Sequence, residues 1–146
     1  MAFPRSLTCP SCGYGAYYNP KPVASAIPRD ADGNVLLLRR GFEPSAGLWT
    51  FPGGFVDLGE SVEQAALREV REELEIDVEL GGLVGVYSRP GDRIVLIVFH
   101  ARVDAGARPR TTEEAIEVAS FGPADIPWDQ LAFRSTDRAL RDALAA

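Results

Sequence analysis

One stretch constrains this 146-residue chain more than any other. From Gly54 to Ile76 it reads Gly-Phe-Val-Asp-Leu-Gly-Glu-Ser-Val-Glu-Gln-Ala-Ala-Leu-Arg-Glu-Val-Arg-Glu-Glu-Leu-Glu-Ile. Ser61 suits an N-cap, and the following residues to about Leu74 predict a helix. Projected at about 100° per residue, Val62, Ala66, Leu67, Val70 and Leu74 share one face. Gln64, Arg68, Arg71 and Glu75 lie roughly opposite. Glu69 and Glu73 fall at the border of the apolar face, with Glu72 on the same flank. A purely solvated helix would put its acids on the far side and alternate them with bases. Carboxylates at a buried edge instead lose water, and their like charges raise the cost of ionisation.

Such carboxylates suit a hard divalent cation. Mg²⁺ and Mn²⁺ take oxygen ligands, and Mg²⁺ is commonly held by one or two carboxylates plus water and substrate phosphates. Glu69 and Glu73 stand on adjacent turns and can serve one ion, with Glu72 available to a second. Gly53 and Gly54 let the main chain approach without a Cβ, so a backbone carbonyl can join the shell. Arg68 fits a positioning role, gripping a carboxylate such as Glu60 through a bidentate pair. Together these groups suit cleavage of a pyrophosphate, in which a spare carboxylate takes a proton from the attacking water.

The spacing of these residues resembles the Nudix box, Gly-x5-Glu-x7-Arg-Glu-aliphatic-x-Glu-Glu-x-Gly-aliphatic, of the Nudix hydrolase family. Gly54, Glu60, Arg68, Glu69, Val70, Glu72, Glu73 and Ile76 meet it, and Glu75 stands where the family usually has glycine. That glycine ends the helix in a left-handed conformation, so another residue there costs on the order of 1 kcal/mol, and an adjusted helix end with the chemistry kept is expected. The resemblance implies a Mg²⁺- or Mn²⁺-dependent hydrolase of a nucleoside diphosphate linked to another moiety. It implies Glu69, Glu72 and Glu73 as metal-binding and catalytic groups, Arg68 and Glu60 as their supporting pair, and the Gly53 carbonyl as a ligand. It also implies a further acid outside the box. Among Glu113, Glu114 and Glu117, the best match is Glu117, with Glu114 second.

Two further segments bear on the type of relative. Cys9-Pro-Ser-Cys12-Gly is a knuckle whose partner pair is missing, and His100 lies in an apolar strand run. The knuckle is similar to half of the zinc ribbon of Nudix enzymes acting on NADH, FAD or ADP-ribose. The reading preferred is a zinc-free remnant, against a zinc shared across a dimer or a redox pair. Gly85-Val-Tyr-Ser-Arg-Pro and Asp125-Ile-Pro-Trp-Asp-Gln-Leu-Ala-Phe resemble ADP-ribose and FAD pyrophosphatase-like members. Tyr87, Trp128 and Phe133 are candidates for stacking on a ring, and Arg39, Arg40, Arg89 and Arg93 for steering phosphate. Of these, Arg40, Tyr87, Arg89 and Trp128 are the substrate-binding candidates.

The remaining sequence predicts one domain. Strands are expected over Val23–Ile27 between Pro22 and Pro28, at Val35-Leu-Leu-Leu, at Leu48-Trp-Thr-Phe, over 78–88 and 93–103, and over 115–121. Arg89-Pro-Gly-Asp predicts a hairpin turn, and Ser135 or Thr136 the cap of a last helix. Strands flanked by two helices predict an α/β class fold. The resemblance makes this a Nudix-type α/β/α sandwich with a mixed sheet over 21–146, preceded by a short extension over 1–20. Net charge is −6, so general nucleic-acid binding is not expected. Neither an 18-residue apolar run nor a signal-peptide core is seen, so no membrane association and a cytoplasmic location are expected. Dimers among the implied relatives make a homodimer a possible state. The leading functional expectation is a pyrophosphatase acting on ADP-ribose or FAD. The alternatives are a house-cleaning nucleoside triphosphate pyrophosphatase and a non-catalytic Nudix-fold nucleotide-binding module.

Overall fold

A computed structural model describes residues 6–146. A small antiparallel hairpin comes first, β1 (Ser6–Thr8) with β2 (Gly15–Tyr17). The main sheet has seven strands: β3 (Lys21–Arg29), β4 (Val35–Arg40), β5 (Trp49–Thr50), β6 (Gly53–Phe55), β7 (Val78–Tyr87), β8 (Ile94–Val103) and β9 (Ala115–Phe121). Its path runs β5-β4-β3-β8-β7, with β6 also paired to β3 and β9 to β4. The β3–β8 pair is parallel, in register from Lys21 opposite Ile94 to Arg29 opposite Arg102, and the other pairs are antiparallel. Helix α1 (Val62–Leu74) and helix α2 (Arg134–Ala145) complete the fold.

The two helices cover opposite faces because the central strands alternate. On β4, Leu36 and Leu38 pack with Val70 and Leu74 of α1, whereas Val35 and Leu37 pack with Ala139, Leu140 and Ala143 of α2. Ala24 and Ala26 of β3 face α1, and Ile27 faces α2. Burial on both faces explains why these strands read as near-continuous apolar runs. The expected α/β/α sandwich with a mixed sheet is the observed fold.

Pro22 and Pro28, expected to bound β3, lie inside it. Ala26 N–H donates to the Pro52 carbonyl, and the Pro22 carbonyl accepts from Val56 N–H. The even-numbered residues of β3 therefore turn their main chain toward β6, away from β8. Both prolines lack a donor only on that side, beyond the three-residue β6 pairing, and the β8 ladder stays intact.

The last helix also differs from expectation. It begins at Arg134 with Phe133 as N-cap and no capping side chain. The Thr136 hydroxyl is buried and hydrogen-bonds Thr50 Oγ1 at 3.0 Å instead, which joins α2 to β5. No helix among the described residues is long and apolar enough to cross a membrane.

Candidate active site

The Gly54–Ile76 segment forms the expected helix, α1, from its Ser61 N-cap to Leu74. Ser61 Oγ accepts from Gln64 N–H at 3.1 Å, and Gln64 Oε1 accepts from Ser61 N–H at 2.9 Å, a reciprocal capping box. Glu75 ends the helix in the left-handed region, at φ 55° and ψ 35°, with its N–H donating to the Arg71 carbonyl. A glycine-type end is thus built from glutamate.

Helix α1 presents Glu69 and Glu73 to the sheet, 9% and 8% exposed. What makes room for them is the glycine pair at β6. A Cβ on Gly54 would collide with the Glu69 carboxylate, and one on Gly53 with Ser25 Oγ of β3. Gly53 N–H points at Glu73 Oε1 at 3.4 Å. Strand and helix can approach this closely only without side chains between them.

Arg68 holds the cluster together. Its Nε and Nη2 donate to Glu60 Oε2 and Oε1 at 2.7 and 2.9 Å, and Nη2 also donates to the Phe55 carbonyl at 2.9 Å. Its Nη1 reaches Glu69 Oε1 at 2.8 Å and Glu72 Oε2 at 3.1 Å. Glu60 in turn accepts from Asp57 N–H at 2.8 Å, which ties the loop to the helix. The Arg68 fork and this N–H hold the Glu60 carboxyl down to about 2.

The buried acids shift the other way. Burial pushes Glu73 up to about 8, helped by the charges of Glu69 and Glu114 and opposed by Gly53 N–H. Burial also raises Glu69, with Arg68 opposing it. Of these two adjacent carboxylates, Glu69 accepts from the Arg68 guanidinium, whereas Glu73 faces the Gly53 N–H and keeps its proton up to about pH 8.

Glu69, Glu72 and Glu73 line an open cavity of about 590 Å³. Gly53 and Gly54 form its floor with Ser25, and Arg40 and Glu114 also line it. The Arg40 guanidinium lies 4.4 Å from the Phe42 ring centre and 5.1 Å from that of Phe133. Burial lowers its pKa, and the charges of Glu73, Glu114 and Glu43 oppose that shift.

The residues singled out from sequence therefore separate into groups. Glu69, Glu72, Glu73, Gly53 and Arg40 line one cavity, and Arg68 and Glu60 join them through the Arg68 hydrogen bonds to Glu69, Glu72 and Glu60. Glu117 does not join them: it pairs with Arg39 at 3.2 Å, opposite it in the β4–β9 register. Glu114, just before β9, lines the cavity instead, and its carbonyl accepts from Gly41 N–H. Tyr87 and Arg89 line a neighbouring cavity, where the Tyr87 phenol donates to Asp142 Oδ2 at 2.6 Å. Trp128 lines neither; it packs on the α2-side core with the Arg141 guanidinium 4.1 Å from its ring centre. Sequence reasoning missed Phe42, whose position beside Arg39-Arg40-Gly41 was the available signal. Cys9 and Cys12 are free thiols at the β1–β2 turn.

The donor set fits a hard divalent cation. The groups are all oxygen donors, two are buried carboxylates with raised pKa, and main chain lies against them without Cβ atoms. Among the described residues no three His, Cys, Asp or Glu side chains form a ready-made cage. A Mg²⁺-type site commonly draws on water and substrate phosphates to complete its shell.

Comparison with known proteins agrees with this geometry. The NUDIX domain family matches residues 19–143. The ADP-ribose pyrophosphatase of Methanocaldococcus jannaschii is 35% identical over 82% of this chain and 71% of that protein. The NAD-capped RNA hydrolase NudC of Pseudomonas aeruginosa is 34% identical over 97% of this chain, which spans only 50% of that relative's length. The crystal structure of a NUDIX hydrolase from Nitrosomonas europaea superposes with a TM-score of 0.86 at 36% identity, covering 92% of this chain and 75% of that one. With the family match spanning most of its length and Glu69, Glu72 and Glu73 of the box lining one cavity, this chain belongs to the Nudix family of hydrolases.

Proposed function

We propose that this protein hydrolyses the pyrophosphate bond of a nucleoside diphosphate joined to a second moiety, with ADP-ribose and FAD as the favoured substrates. The observation that carries the reading is the pair Glu69 and Glu73, buried side by side in the wall of a cavity large enough for a nucleotide. The similarity to the archaeal ADP-ribose pyrophosphatase supports the favoured substrate.

Glu69, Glu73 and the Gly53 carbonyl are the groups proposed to hold Mg²⁺ or Mn²⁺, with Glu72 completing a second position. The bound cation supplies neutralisation of phosphate charge and a more acidic water. This chain's residues do the rest. Arg68 fixes the Glu69 carboxylate, and Glu60 fixes Arg68. Arg40 stands at the cavity wall to receive the developing phosphate charge, held between Phe42 and Phe133. Glu114 is proposed as the assisting acid, since it lies in the cavity and raises the pKa of Glu73, whereas Glu117 is engaged by Arg39. Glu114, which lines the cavity, is the acid proposed to take a proton from the attacking water.

A substrate panel tests the reading. Purified protein with Mg²⁺ or Mn²⁺ is offered ADP-ribose, FAD, NADH, NAD-capped RNA and nucleoside triphosphates, and products are weighed by mass spectrometry. AMP release from ADP-ribose or FAD is the expected result. Cleavage confined to triphosphates would replace the favoured substrate class.

A further inference from the structure

Beside the acidic cavity lies a second of about 380 Å³, and its wall is basic. Arg89 and Arg93 reach it from the β7–β8 turn, and Arg134 and Arg138 from the first two turns of α2. Asp92 is the one acid among the lining residues, in a chain whose net charge is −6. It is already engaged: its carboxylate accepts from Arg89 N–H at 2.7 Å and lies 3.6 Å from the Arg89 guanidinium.

Arg134 and Arg138 stand four residues apart, where like charges on one helix face repel. The α2 N-terminus, without a capping side chain, adds its partial positive charge to the same side. Arg138 is held over the Tyr87 ring, 5.6 Å from its centre, while the Tyr87 phenol bonds Asp142 of the same helix. Arg138 is thus anchored between β7 and α2. An anion relieves the repulsion, and guanidinium forks match phosphate oxygens.

The position of this chamber supplies its meaning. Ile94, Leu96, Phe133 and Ser135 line both cavities, so the basic chamber shares a wall with the one holding Glu69 and Glu73. In a nucleoside diphosphate the ribose is the unit next to the pyrophosphate. Its 2′- or 3′-oxygen is the nearest place on the substrate for a further phosphate.

We propose that the chamber formed by Arg89, Arg93, Arg134 and Arg138 binds a phosphate ester on the 2′- or 3′-oxygen of a substrate ribose. The proposal rests on the pyrophosphatase reading above and narrows its substrate class. The same ester occurs as a terminal monophosphate on a small molecule and as the first phosphodiester of a capped RNA.

Binding and turnover are measured separately. In calorimetric titrations with Mg²⁺, which need no cleavage, adenosine 2′,5′- or 3′,5′-bisphosphate should bind at least about tenfold more tightly than AMP. That advantage should vanish in R134Q/R138Q, and shrink in R134Q alone, which spares the Arg138 contact with Tyr87. In turnover, the ratio of kcat/KM for 2′-phospho-ADP-ribose over ADP-ribose identifies a small-molecule source. The ratio for an NAD-capped oligonucleotide over NAD identifies RNA. Equal affinity for AMP and both bisphosphates, or an advantage that survives in the double variant, would overturn the proposal. A preserved bisphosphate advantage without cleavage of any pyrophosphate would leave the chamber standing and remove the hydrolase reading.

Discussion

Arg68 grips Glu60 through two parallel hydrogen bonds, Nε to Oε2 at 2.7 Å and Nη2 to Oε1 at 2.9 Å. The remaining nitrogen of the same fork, Nη1, reaches Glu69 and Glu72. One planar group therefore sets the position of a buried carboxylate from a loop eight residues upstream. Neither Lys nor a neutral partner reproduces that geometry.

E60Q and R68K should each lower kcat by roughly 10- to 100-fold, the usual effect of losing a group that orients a ligand. The metal concentration for half-maximal activity should rise as well. A merely structural role would lower the melting temperature and leave that metal dependence unchanged.

Glu75 offers a test that is independent of the chemistry. Its left-handed backbone strains a glutamate and suits glycine, and among the described residues its ion-pair partner is Arg110 at a loose 3.9 Å. E75G should stabilise the protein by about 1 kcal/mol, roughly 3 °C in melting temperature, with turnover unchanged. Thermal unfolding followed by circular dichroism reads the shift.

Glu73 sets a pH dependence. Its folded value of about 8 stands above the ordinary 4.5. Between those values the folded protein keeps a proton that the unfolded chain has released, so stability falls as pH rises through that window. Cation binding needs the ionised form and opposes the loss. The rise in melting temperature on adding Mg²⁺ or Mn²⁺ should grow from pH 5 to pH 8.5, and E73Q should flatten the dependence. Differential scanning calorimetry across that range measures both.

How much was legible in the sequence depended on whether the information was local. Ser61 and Leu74 follow from spacing and capping chemistry contained in one helix and its approach loop, whereas Glu75 keeps the left-handed end that its side chain was expected to alter. The border position of Glu69 and Glu73 followed from helical periodicity, and the structure buries both. Register was not legible. Glu114 and Glu117 differ by three residues, and only the β4–β9 pairing, shifted between Arg39 and Arg40, puts Glu117 against Arg39 while Glu114 lines the cavity. Pro22 and Pro28 looked like strand limits because sequence does not say which side of β3 lacks partners. Thr136 looked like a cap because its hydroxyl's partner, Thr50, is distant in sequence. The basic chamber escaped notice for the same reason: Arg89 and Arg93 meet Arg134 and Arg138 only after β7, β8 and α2 pack together.

The central claim is that the buried carboxylates of α1 perform the chemistry, and turnover of ADP-ribose and FAD by E73Q and E69Q with Mg²⁺ or Mn²⁺ tests it most directly. Glutamine keeps the shape and removes the charge, so folding should survive while kcat falls by roughly two to four orders of magnitude. Folded E73Q and E69Q proteins that turn over substrate at the parent rate would contradict the account.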